Sequence, residues 1–165
     1  MNQDIIVTPT FDIKSTFKAS LLVFKNQKIA LYGIAILLFL ILNFYLKDAL
    51  DLINLWVPLL VFILFISFTI YSIYKTSKRQ IQENPRLKEK IIYILNEDYF
   101  QEKGETFEVK HFWKDIFKVV EKNEFFLIYT YKNRANFIKK SDLRNNQLND
   151  LKELFNSLNI KKSLK

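Results

Sequence analysis

Two stretches of this chain carry no charge at all, and together they limit what the rest can be. Ile29 to Leu46 reads IALYGIAILLFLILNFYL, eighteen residues bracketed by Lys28 and Lys47; Leu52 to Tyr74 reads LINLWVPLLVFILFISFTIYSIY, 23 residues. At a helical rise of about 1.5 Å per residue they reach roughly 27 and 34 Å, matching the hydrocarbon core of a bilayer. Buried helices of soluble proteins rarely stay uncharged on every face for about five turns, so the runs predict two membrane-spanning helices, 29–46 and 52–74. KDALD, Lys47 to Asp51, is long enough only to turn the chain, which makes 29–74 an antiparallel hairpin. Pro58 predicts a bend or an irregular start in the second helix. Trp56, Tyr45, Tyr71 and Tyr74 fall near the run ends, as interfacial aromatics do.

Basic residues then set the orientation. Lys14, Lys18, Lys25 and Lys28 precede the first run, and Lys75, Lys78, Arg79, Arg86, Lys88 and Lys90 follow the second. The loop offers Lys47 alone beside Asp48 and Asp51. Both termini are therefore expected in the cytoplasm, with the hairpin in a bacterial inner membrane. The first run ends without small residues at a cleavage point, so no signal peptide is expected to be removed. The net charge of +8 serves topology on this reading, and nucleic acid is not an expected partner. Lys75, Lys78 and Arg79 would lie close to an anionic leaflet. A second basic group, Lys132, Arg134, Lys139 and Lys140, would face headgroups, an acidic protein partner or plain solvent.

Residues 1–28 form a polar arm. Ile13, Phe17, Leu21 and Phe24 recur at helical spacing, with Asp12 or Ser15 as the cap. That helix is expected either at the headgroup level or packed on the protein's own domain. Upstream, DIIVT is β-branched and suits a strand added to a sheet elsewhere in the chain. Beyond the second run the helix is expected to continue to about Glu83, entering a charged linker, 75–86, that stops at Pro85.

From 87 to 165 the pattern changes to short segments rich in Tyr, Phe, Ile and Val. Strands are expected near 89–96, 98–103, 105–110, 116–122, 124–131 and 135–140. Lys103-Gly104 is expected to supply the positive φ of a tight hairpin, with Lys122-Asn123 and the Asn within Lys132 to Arg134 making two more turns. HFWKD reads as a link that plants Trp113 in the core. Ser141 precedes a terminal helix whose apolar face is Leu143, Leu148, Leu151, Leu154, Phe155 and Leu158. The sum is an α+β membrane protein: a two-helix transmembrane hairpin, then a PH-like antiparallel sheet or barrel capped by a C-terminal amphipathic helix.

The run HFWKDIFKVVEKNEFFLIYTYKNRANFIKKSDL resembles the C-terminal domain of the bacterial YcxB-like proteins. Trp113, Ile116, Val119, Val120, Glu121, Phe125, Phe126 and Tyr129 match that family's pattern in order. The family usually ends its last strand with Ile-Pro-Lys, whereas this chain has Phe137, Ile138, Lys139 and Lys140. The resemblance implies two membrane helices ahead of a small PH-like domain, and it brings no catalytic residues.

Little else in the sequence points to chemistry. There is no Cys, hence no disulfide, thiolate metal site or catalytic thiol. His111 is the only His, and its place beside Phe112 and Trp113 suits packing or surface exposure better than catalysis. Gly33 and Gly104 lie far apart, which excludes glycine-rich phosphate loops. Glu97, Asp98, Glu102, Glu105 and Glu108 read as a solvated strand face, making hydrolase or transferase activity the weakest reading. The expectation is a non-enzymatic protein without cofactor or metal. It would present a PH-like binding domain at the bilayer, with contacts from Lys75, Lys78, Arg79, Lys132, Arg134, Lys139 and Lys140. The rival is a membrane-bound immunity protein that neutralises a bacterial toxin.

Overall fold

The computed structural model describes residues 4–46, 56–144 and 146–164. Ile5–Val7 forms β1, followed by two long helices, α1 (Ile13–Leu46) and α2 (Trp56–Glu83). Six strands come next: β2 (Ile92–Leu95), β3 (Tyr99–Lys103), β4 (Glu108–Phe112), β5 (Lys118–Glu121), β6 (Phe125–Tyr131) and β7 (Arg134–Lys139). Helix α3 (Gln147–Ser157) and a two-residue β8 (Lys162–Ser163) complete the order. Two four-stranded sheets result, β1-β2-β3-β4 and β7-β6-β5-β8; every pairing is antiparallel except β5 with β8.

The first sheet begins far upstream of its neighbours. The β-branched Ile5–Val7 adds to β2 in the register Ile5↔Leu95 and Val7↔Tyr93, satisfying its backbone groups against a strand nearly ninety residues later. Between the sheets, Leu95, Phe100, Val119, Phe126 and Ile138 are sealed from solvent, and Leu151 and Phe155 of α3 close the end. Trp113 packs edge-on against Phe155 with ring centroids 6.0 Å apart. Its indole N–H donates to the Asn96 carbonyl at 2.7 Å, so the polar edge of a buried ring is satisfied.

Strand β6 departs from simple alternation because both of its faces are covered. Phe126 and Ile128 point into the space between the sheets. Phe125, Leu127 and Tyr129 point the other way and pack, with Phe137 and Val120, against Ala19, Leu22 and Val23 of α1. Of the two positions expected for the N-terminal amphipathic helix, α1 takes the one on the protein's own sheet. Asp12 caps it: the Ser15 N–H donates to Asp12 Oδ1 at 2.8 Å and the Ser15 hydroxyl to Oδ2 at 2.7 Å. Helices α1 and α2 pack antiparallel through Phe17 on Tyr74 and Tyr32 on Phe65, with Ser77 buried 3.5 Å from Ser20.

The expected transmembrane hairpin is corrected. Among the described residues, no helix is long and apolar enough to cross a membrane. Charge enters both helices: α1 carries Lys14 and Lys18 in its opening turns, and α2 runs on through Lys75, Lys78, Arg79 and Glu83. The first run is the C-terminal part of a longer helix, and the second gives way to charged turns of α2 that run on to Glu83. The α+β membrane class, the inner-membrane location and the cytoplasmic placement of both termini are withdrawn with the hairpin. The connecting segment 47–51 lies outside the described residues. The helices do present apolar surface: Leu37, Leu38, Leu60, Leu64, Phe68 and Tyr71 are each more than half exposed, a property that marks contact regions.

Three local expectations also change. The terminal helix starts at Gln147, well after Ser141, because Asp142 is engaged elsewhere: the Thr10 N–H and hydroxyl donate to its carboxylate at 2.7 and 2.8 Å. Strand β4 starts at Glu108 because the Glu89 carboxylate receives the N–H groups of Glu105 and Thr106 and the Thr106 hydroxyl, and these bonds hold them in the turn. Gly104 does not adopt the positive φ expected of it; a glycine is required there for space. A Cβ would press on the Phe107 ring and come within 2.6 Å of Glu89 Oε2. Gly104→Ala is therefore expected to cost about 1–3 kcal/mol by overpacking, measured as a lowered denaturant midpoint; an unchanged midpoint would refute the steric reading.

Candidate functional site

Where the helix pair overhangs the open corner between the two sheets, a groove forms with two lobes of about 400 Å³ each. The lobes share Thr16 of α1, Gln80 of α2, and Arg134, Ala135, Asn136 and Phe137 of β7. One lobe runs between α1, α2 and the β6–β7 turn and adds Ser20, Ser72, Thr76 and Ser77 to its lining. The other runs over the face of β2, β3 and β4 and adds Tyr93, Glu102, His111, Phe107 and Arg86.

The sheet lobe is built around one carboxylate. Glu102 on β3 accepts from Asn136 Nδ2 at 2.5 Å, and its Oε1 lies 3.1 Å from His111 Nε2 on β4. His111 stacks on Phe100 with centroids 5.8 Å apart, which fixes the ring. Beneath lies the Tyr93 hydroxyl, whose pKa is pushed well above its ordinary value by burial and, secondarily, by the negative charge of Glu102. Tyr93 therefore acts as a neutral polar group rather than as a base. At the rim, the Arg86 guanidinium lies 5.0 Å over the Phe107 ring, a cation–π contact.

The helix lobe is different in kind. Among the described residues that line it, Arg134 is the sole charged one, and the remaining polar groups are hydroxyls and amides. Thr16 is 4 % exposed, and its hydroxyl has no hydrogen-bond partner. An unsatisfied buried hydroxyl costs about 1–3 kcal/mol. Arg134 itself is exposed, and its guanidinium forms no ion pair among the described residues. Nor, among those residues, does any group of three or more His, Cys, Asp or Glu stand ready to hold a metal ion.

The seven basic residues singled out in the sequence are not brought together. Lys75, Lys78 and Arg79 are exposed on the closing turns of α2, with Arg79 3.9 Å from Glu83 one turn on. Lys132 lines a different depression beside Phe117 and Lys161. Lys139 is largely covered and pairs with Asp12 at 2.9 Å. Lys140 pairs at 2.6 Å with Glu121, a buried carboxylate that also meets Lys152 at 3.0 Å. These two lysines tie elements together, leaving Arg134 as the one member of the seven that faces the groove. Sequence reasoning missed Thr16, Gln80, Tyr93 and Asn136, which carry no motif and meet only through the tertiary fold.

Strand β7 ends where the sequence departs from the usual Ile-Pro-Lys. Here Lys139 and Lys140 do the anchoring, and the Lys140 N–H donates to the Glu124 carbonyl at 2.9 Å. With Trp113 in the core, Glu121 paired to Lys140, and β5 to β7 in register, the residue pattern has a structural basis. Residues 95–155 match the model of the family described as YcxB-like protein. The chain is similar to that family over this segment, a little over a third of its length. No curated protein and no solved structure matches the chain. The YcxB-like match covers β3 to β7 and most of α3, and so includes Glu102, His111, Arg134 and Asn136. Thr16, Gln80, Arg86 and Tyr93 lie outside it.

The Lys139 pair has a pH signature. Burial raises the Asp12 pKa, but the Ser15 N–H, the Lys139 ammonium and the Ser15 hydroxyl outweigh it and bring it from 3.8 to about 2. A carboxylate lowered on folding contributes stability above its unfolded value and loses it as pH falls through the folded one. The stability difference between wild type and Asp12→Asn should therefore be constant above about pH 5 and shrink as pH falls through 3.8 toward about 2, as read from denaturant unfolding. A difference that stays flat to pH 2 would refute the assignment.

Proposed function

We propose that this chain is a non-catalytic binding protein, and that its YcxB-like domain takes a small polar ligand in the groove between the helix pair and the sheets. The observation that carries the reading is convergence. Polar side chains from α1, α2, β3, β4 and β7 meet around one concave space of the size that small-molecule sites occupy. A non-catalytic role fits the groups present. His111 and Glu102 are engaged with each other, Asn136 occupies the same carboxylate, and Tyr93 is held neutral.

Equilibrium dialysis of the full chain against a metabolite extract, read by mass spectrometry, tests this. Wild type is expected to enrich at least one component, and Gln80→Trp, which fills the region shared by both lobes, to lose that enrichment. Enrichment by neither protein, or equally by both, would refute the groove as the site. Consumption of a component beyond the amount of protein present would refute the non-catalytic role.

A further inference from the structure

Resting on the groove reading, we propose that its helix lobe is an oxyanion site, specific for a phosphoryl group held by Arg134. Three observations point there independently of sequence pattern. The guanidinium of Arg134 is the only formal charge among the described residues lining the lobe, and it has no carboxylate partner among them. That sets it apart from Lys139 and Lys140, whose charges are spent on Asp12 and Glu121. The Thr16 hydroxyl, on a residue 96 % removed from solvent, lines the same space and has no partner. It is an unsatisfied polar atom in the wall of the lobe. Gln80 supplies an amide from a third element.

Geometry decides among anions. Arg134 on β7, Thr16 on α1 and Gln80 on α2 line the lobe from three different elements, a set of donors that suits an anion with several acceptor oxygens. The guanidinium fork matches two phosphoryl oxygens at once. Glu102 stands in the neighbouring lobe, where it already accepts from Asn136 and lies against His111. An anion is thereby steered toward Arg134, while the hydroxyl or amine end of a phosphorylated molecule can extend toward the carboxylate. The phosphoryl group can belong to a soluble phosphomonoester or to a lipid headgroup, since the lobe reads the same atoms in both.

The test uses the full chain. Glycerol 3-phosphate and inorganic phosphate are titrated calorimetrically at constant ionic strength, and phosphatidylglycerol vesicles are tested by co-sedimentation against phosphatidylcholine vesicles. Saturable binding is expected in one of these arms. Arg134→Gln should weaken it at least tenfold and Thr16→Val several-fold. Lys132→Gln removes the same charge from the adjoining turn but lies outside the groove, and it should change affinity less than twofold. Binding of the soluble phosphates identifies a free ligand, whereas binding confined to phosphatidylglycerol vesicles identifies a headgroup. No binding in any arm, or equal losses in Arg134→Gln and Lys132→Gln, would overturn the proposal. If dialysis yields a ligand sensitive to Gln80→Trp that carries no phosphoryl group, the oxyanion site falls and the groove reading stands. Thermal melts of each variant confirm that a loss is not a loss of fold.

Discussion

The docking of α1 onto the outer face of the second sheet is the contact on which the rest of the structure depends. Strand β6 sends Phe126 and Ile128 into the core and Phe125, Leu127 and Tyr129 outward. Without a helix over them, three large side chains would face water at about 1.5–3 kcal/mol each. Ala19, buried at the contact, is small enough to let the helix approach closely. Two ion pairs flank the apolar seam, Lys18 with Glu124 at 2.7 Å and Lys139 with Asp12 at 2.9 Å. The Lys18 pair is exposed and adds little stability, whereas Lys139 is largely covered; both set where along the sheet the helix sits. The groove follows from that placement, because the same turns of α1 that cover β6 carry Thr16 to its floor.

The sequence is a good guide wherever one residue's neighbours in the chain are also its neighbours in space. Aromatic and β-branched clusters separated by polar turns mark the strands to within a few residues. The upstream DIIVT is recognisable as a strand because nothing in its flanks could bury it locally. Trp113 reads as core because a lone indole in a charged link has no other place to go. Errors appear where a remote group intervenes. Asp142 is taken by Thr10 and delays α3; Glu89 is taken by Glu105 and Thr106 and delays β4. Strand β8 escapes notice because two residues, one a lysine, carry no alternation; only the parallel pairing with Val119 and Val120 defines them.

The largest correction has the same origin. Uncharged length alone suggests a membrane span, yet α1 begins sixteen residues earlier, at Ile13, and carries Lys14 and Lys18 there, while α2 continues to Glu83 as the sequence led us to expect. The turns of α1 outside its run hold lysines and the packing on the sheet. The YcxB-like match is likewise narrower than the fold. Val7 and Tyr93 lie outside residues 95–155 but belong to the same buried cluster as Phe100 and Ile138, so the matched segment alone lacks part of its own core.

Charge is the clearest case of one-dimensional clustering that misleads. Lys132, Arg134, Lys139 and Lys140 look like one basic patch because they fall within nine residues. On a strand, alternate residues face opposite sides, and the turns at either end redirect the rest. Lys139 and Lys140 therefore meet carboxylates from α1's cap and from β5, Lys132 turns to another surface, and only Arg134 enters the groove. A cation paired with a carboxylate has its field largely cancelled nearby, whereas one lined by neutral donors retains it for whatever enters. What separates a paired charge from an unpaired one here is thus the company each keeps in three dimensions. The number of basic residues in a window carries no such information.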